Sequence, residues 1–303
     1  LDLEGCVLKV DLWLVQCSFA RPILLIDASL DSLFLNGSRL PGLIAEGLET
    51  RGSIVLNGAR IDGPVQLPGA RIGGKLNLVN ARLHNPGGVA LDANGARIRD
   101  TFILRQGARV AGTLDLAAAE IREIDDEPAC WPGPGDLVLD RCHYGAFLGL
   151  GIDAVSRRRW LELQDAPGAA PAFRPQPYER CARVLREAGH LEDAREILIA
   201  KHRRQGRHLA RTASGPLIRR LVAAGDRVLD ETVRYGHRPL RAFVWLFRFW
   251  LVGCVVFALA AEADAIKPNN AFILRTPEWF LCGVPADRRV ETASLAGPAS
   301  GRA

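Results

Sequence analysis

Residues Asn57–Leu83 read NGARIDGPVQLPGARIGGKLNLVNARL. The stretch repeats itself three times, as Ala59-Arg60-Ile61, Ala70-Arg71-Ile72 and Ala81-Arg82-Leu83. It also carries the letters of a phosphate-binding loop, from Gly69 to Gly74-Lys75-Leu76. A loop of that kind needs a Ser or Thr after the lysine to hold Mg²⁺, and a helix whose N-terminus faces the phosphate. Leu76 stands where the hydroxyl is needed, and Gly58 and Gly63 repeat Gly69 and Gly74 one unit earlier. The stretch is therefore one part of a repeating scaffold.

Outward from it, a small residue recurs at Ala28, Ser38, Ala59, Ala70, Ala81, Ala96, Ala108 and Ala119, each two places before an aliphatic residue. The steps are 10, 21, 11, 11, 15, 12 and 11, and the long step skips a weak unit near Gly47-Leu48. Between the marks lie apolar pairs: Ile54/Leu56, Val65/Leu67, Leu76/Leu78, Val89/Leu91, Ile103/Leu104 and Leu114/Leu116. Pieces this short cannot be helices, and alternation with period two means β structure. Self-similarity at a fixed period predicts a solenoid. Two units make a coil of about 21 residues, and six coils stacked at strand spacing give a rod about 30 Å long.

These residues resemble the pentapeptide-repeat family, in which a small residue stands two places before a central Leu or Phe. The resemblance covers roughly residues 1–145 and implies a right-handed quadrilateral β-helix. The eleven-residue steps depart from the family's ten. The solenoid is expected over residues 1–148. Arg60, Arg71, Arg82, Arg97 and Arg109 fall at equivalent, outward repeat positions, so they are expected to form one stripe, a candidate partner surface.

The pattern breaks after Ile121. Asp125-Asp126-Glu127 reads as a solvated turn. Gly149-Leu-Gly151-Ile-Asp-Ala154 matches a dinucleotide fingerprint in its letters, but Pro167, Pro171, Pro175 and Pro177 follow instead of a second strand. Residues 149–176 are expected to be a Pro-rich junction that leads out of the solenoid. A helical hairpin and a basic amphipathic helix are expected over 177–235. One helical face holds Tyr178, Cys181, Val184 and Leu185, Gly189 ends that helix, and Ala194, Ile197 and Leu198 mark the next. The pair resembles a single tetratricopeptide-like hairpin, placed to cap the solenoid's open end. Lys201–Arg211, KHRRQGRHLAR, is densely basic, yet no aromatic interleaves between Tyr178 and Tyr235, which argues against nucleic acid.

Residues 242–261 contain one charge, Arg248, and are long enough to cross a bilayer. Trp245, Phe249, Trp250 and Phe257 are its expected anchors. Arg227, Arg234, Arg238 and Arg241 precede the segment, against Lys267 and Arg275 after it, which predicts a cytoplasmic solenoid. Residues 262–303 form a polar tail. Solenoid, YERCARVLREAGHLEDAREIL hairpin, YGHRPLRA and span together look like bacterial membrane-associated pentapeptide-repeat-like proteins, often loosely labelled oxidoreductases. Those relatives continue into further membrane segments. The chain holds no methionine, and Leu1-Asp2-Leu3 already fits the repeat, so the sequence is read as part of a longer protein.

The seven cysteines are scattered and form no C-x-x-C pair, so neither a metal site nor a disulfide framework is expected. No catalytic constellation is evident and no cofactor is expected. The leading expectation is a non-enzymatic membrane-anchored scaffold for a protein partner. Two alternatives are a dinucleotide-binding oxidoreductase using Gly149–Ala154 and a topoisomerase-binding DNA mimic. A DNA mimic needs a strongly acidic rod, whereas residues 1–150 carry 14 Lys+Arg against 18 Asp+Glu, a net charge of only −4. The sequence leaves the partner's identity and the oligomeric state open.

Overall fold

A strand of two residues is stable only if its backbone bonds continue onto a neighbour in both directions. The computed structural model meets that need by stacking coils, and it describes residues 1–168, 173–232 and 240–263. The chain forms two units, Leu1–Arg238 and Pro239–Ala303. The first begins with a β-solenoid of about six coils. All strand pairings are parallel, and equivalent positions on successive coils form four ladders. Ile23, Leu43, Val65, Leu91, Leu114 and Leu137 share one ladder. Leu33, Ile54, Leu76, Phe102 and Ile124 share another. In both, the first strand residue points inward and the second outward. The other two ladders reverse this order, with Leu30, Ile72, Ile98, Ile121, Leu40, Ile61 and Leu83 pointing inward.

The small repeat residues are all buried, which is why nothing larger recurs there. The weak unit shows the rule by exception. Leu48 occupies the small-residue position, and Thr50 stands where Ile or Leu is usual. The volume lost at one position is restored at the other. Before each small residue the chain turns through a left-handed residue, such as Gly37, Gly58 or Gly69 at φ +66°, +65° and +68°. Asn80 and Ala118 adopt the same conformation without being glycine.

The coil from Leu76 to Phe102 is longer than its neighbours, because residues 85–88 bulge out of the strand Arg82–Asp92. Val89, first of the apolar pair Val89/Leu91, is 37% exposed, and Ala90 and Leu91 are buried in its place. Likewise the inward pair on the next strand is Phe102 and Leu104, with Ile103 in the outward register of Asn77.

Where a junction is expected, a helix stands: α1, Ala154–Glu162. The hairpin follows as α2, Pro175–Glu187, and α3, Leu191–Thr212. The amphipathic helix is α4, Pro216–Thr232. The hairpin covers the last coil as expected. Arg141 N donates to Gln176 Oε1 at 3.0 Å, Gln176 Nε2 donates to Cys142 O at 3.0 Å, and Arg180 Nε donates to Tyr144 O at 2.8 Å. The edge of the last coil thus finds partners in side chains of α2, and the solenoid core runs on into Trp160, Leu161, Tyr178, Cys181 and Leu185.

The second unit contributes α5, Leu240–Glu262. Its stretch Phe243–Ala260 is long and apolar enough to cross a membrane, and none of it is buried. Arg234, Arg238, Lys267, Arg275 and nearly all of the tail lie outside the described residues.

Two glycines separate the two demands of stacking. Gly58→Ala, whose Cβ would meet the Gly37 backbone only at an ordinary 4.0 Å but which stands at φ +65°, is expected to cost about 1 kcal/mol. Gly73→Ala puts a Cβ 2.0 Å from the Arg51 carbonyl oxygen of the coil below, and is expected to cost about 3 kcal/mol. Thermal midpoints of the two variants check the order.

Candidate functional site

The five arginines expected on one stripe divide between two ladders. Successive repeat marks lie half a coil apart, so alternate units face different sides. Arg71 and Arg97 are register partners on the ladder that also carries Ser29, Glu49, Glu120 and His143. Arg60, Arg82 and Arg109 stack on the other ladder with Arg39, which the repeat count had left out. Arg39 follows Ser38 as Arg60 follows Ala59, so the repeat itself carried the signal for it.

The two ladders differ in charge. On the first, Arg71 Nη1 lies 2.6 Å from Glu49 Oε1 and Arg97 Nε lies 3.2 Å from Glu120 Oε2. Both pairs are exposed and stabilise little, yet they cancel the charge of the column. Beside them runs an open groove of about 720 Å³, lined by Thr50, Arg51, Gly73 and Arg99 as well as the paired residues. A second open groove of about 640 Å³, lined by Glu120, Arg122, His143 and Arg180 of α2, shares Arg97 and Arg99 with it. On the second ladder, Arg39, Arg60, Arg82 and Arg109 are all exposed, and none makes an ion pair among the described residues. Like charges in facing strand positions destabilise a sheet by up to about 1 kcal/mol per pair.

The phosphate-loop letters are part of the coil. Gly73 N, Gly74 N and Lys75 N donate to Thr50 O, Gly52 O and Ser53 Oγ of the coil below, and Leu76 is buried.

The dinucleotide letters Gly149–Ala154 do sit between a strand, His143–Leu148, and a helix, α1. The amides that would meet a pyrophosphate are already taken. Val155 N and Ser156 N each donate to Asp153 Oδ1 at 3.0 Å, and Ala154 N donates to Asp193 Oδ1 at 2.9 Å. The Ser156 amide foremost holds the Asp153 carboxyl below its ordinary range. Two carboxylates at the helix start repel a phosphate, so the residues present do not fit the cofactor that the letters suggest.

Asp125 and Asp126 are buried rather than solvated. Asp125 Oδ2 lies 2.9 Å from Arg105 Nη1. Asp126 accepts from Arg157 at 2.6 and 3.0 Å and from Trp131 Nε1 at 2.7 Å. The Arg157 guanidinium stacks 3.7 Å from the Phe147 ring centroid and is fully buried. This pair clamps α1 to the last coil. Sequence reasoning missed it because residues 149–176 were expected to be a Pro-rich junction and Asp126 part of a solvated turn. The Asp153 cap with Ser156 three residues on was the signal for the helix. The neighbouring thiols Cys142 and Cys181 are pushed up to about 12 by burial, so they stay protonated and unreactive.

No family model, curated protein or solved structure matches the chain. The geometry therefore stands alone. Among the described residues no group of His, Cys, Asp or Glu could hold a metal ion. The basic run Lys201–Arg211 lies on α3, where Lys201, Arg203 and Arg204 pair with Glu179, Asp230 and Asp165. On α5, Trp245 and Phe249 lie with ring centroids 6.0 Å apart, Trp250 stacks on Phe247, and Phe257 is exposed further along.

Arg157→Met is expected to destabilise the protein by about 3–5 kcal/mol, because Asp126 then stays buried without its cation. Adding Asp126→Leu is expected to recover most of the loss. Urea midpoints of the single and double variants measure both effects.

Proposed function

We propose that the chain is a membrane-anchored, non-enzymatic scaffold whose solenoid presents an arginine-bearing surface to a protein partner. The observation that carries this reading is α5, whose stretch Phe243–Ala260 offers a full span of exposed apolar side chains. In water each large apolar side chain left exposed forgoes roughly 1.5–3 kcal/mol of burial. Arg248 costs about 3 kcal/mol at a bilayer centre and less near its edge. Its guanidinium lies 5.2 Å from the Trp245 ring, near the start of the helix, where it can reach headgroups. The apolar gain far exceeds that cost.

The four parallel ladders and the left-handed residue before each buried small residue support a right-handed quadrilateral, pentapeptide-like coil. The arginines that precede α5 support a cytoplasmic solenoid. The face of α4 carrying Leu217, Leu221 and Val228 is exposed beside Arg220 and Arg227 and suits the plane of the same membrane.

Fractionation tests the anchor. The full chain is expected to stay in the membrane pellet through a carbonate wash, and a chain ending at Tyr235 to remain soluble. Release of the full chain by carbonate would remove the anchor and leave the solenoid without its proposed location.

A further inference from the structure

We propose that Arg39, Arg60, Arg82 and Arg109 form the docking line for an extended acidic peptide segment of a partner protein. This deepens the scaffold reading and rests on it, but not on the membrane anchor.

The argument starts from the contrast between the two arginine ladders. The solenoid balances the column that holds Arg71 and Arg97 with Glu49 and Glu120, one coil below and one coil above. The same register positions were open to acids beside Arg60 and Arg82, yet four consecutive coils carry arginine. Stacked like charges oppose folding. None of the four makes an ion pair among the described residues, and Asp62, two places from Arg60, pairs with none of them. A ligand that brings carboxylates supplies the missing charge.

The shape of the column narrows the class of ligand. Four positions at strand spacing span about 14 Å in a line one residue wide. Roughly five residues of extended peptide cover that distance, and alternate side chains, about three of the five, turn toward the four guanidinia. A bilayer would present a plane of phosphates instead. Such a plane would meet Asp62 and, on the adjacent ladder, the outward Asp92 and Asp115. The Asp115 carboxyl is raised by burial foremost, with Asp92 and Asp140 adding to the shift, so that side of the column is already crowded with acid. Nucleic acid would need exposed aromatics to stack its bases, and this ladder has none.

The test is a fluorescence-anisotropy titration of the full chain, in a neutral detergent, with fluorescein-labelled octaglutamate as probe. Arg60→Gln with Arg82→Gln is expected to weaken binding about tenfold, two exposed ion pairs being lost. An equal loss of charge elsewhere, Arg183→Gln with Arg186→Gln on α2, is expected to change it by no more than about twofold. The thermal midpoint of the Arg60/Arg82 variant should hold or rise, because stacked like charges are removed.

Absence of octaglutamate binding to the unaltered chain would overturn the proposal, as would an equal loss in both double variants. So would phosphatidylserine vesicles or oligothymidylate binding more tightly through the same two arginines. Failure of the ladder and failure of the scaffold are distinguishable. Capture of a protein partner that the Arg60/Arg82 variant retains would overturn the docking line and leave the scaffold standing.

Discussion

Everything in the first unit depends on one constraint: each coil must hydrogen-bond, in parallel register, to the coil below and the coil above. Strands of two residues cannot satisfy their own backbone groups, so the coils hold one another. The register turns sequence positions about 21 residues apart into vertical columns. A column admits only what can be stacked. Inside, this selects Ala at one position and Leu, Ile or Val at the next. At the corner it selects a residue that tolerates a left-handed turn. Where Gly73 passes the Arg51 carbonyl, it selects the absence of a side chain.

The same constraint makes the ends costly. A coil with no neighbour leaves a row of unpaired backbone groups and an open apolar face. At the C-terminal end the protein meets both costs with α1 and α2. Gln176 and Arg180 reach the carbonyls of the last coil. Tyr144, Phe147 and Trp160 pack edge-on between coil and helix, with Tyr144 and Trp160 centroids 5.8 Å apart. A buried cation in that cluster needs a buried anion, and Asp126 lies where the last acidic strand ends. The Arg157–Asp126 pair adds little net energy over an apolar replacement, since both ions are desolvated. Its geometry instead fixes how α1 leaves the coil.

Much of this was legible in the sequence, and the parts that were not share a cause. The solenoid was legible because each residue's burial is set by its neighbours two places away. The hairpin was legible because Tyr178, Cys181, Val184 and Leu185 recur at helical spacing. The pairing of Val89 with Leu91 failed because the 85–88 bulge shifts the register, and a bulge has no periodic signature. Helix α1 was missed for the opposite reason. Its letters were legible as a fingerprint, and the prolines after it hid a nine-residue helix whose start is closed by Asp153 and Asp193.

The candidate surface shows most plainly where local reading ends. Arg60 and Arg71 sit in the same four letters, Gly-Ala-Arg-Ile, and those letters do not tell them apart. Their environments differ because of what lies a coil away: Arg60 faces Arg39 and Arg82, whereas Arg71 faces Glu49. Charge in a solenoid is a property of columns, and a column can be assigned only after the coil length is known. With steps of 10, 11, 12 and 15 between marks, that length varies along the chain. A repeat count yields one stripe of five arginines, and the register yields one balanced ladder and one uncompensated ladder. The uncompensated ladder is the informative one. A ladder that stacks four exposed cations with no ion pair among the described residues leaves their screening to water and salt, and only the register brings that column into view.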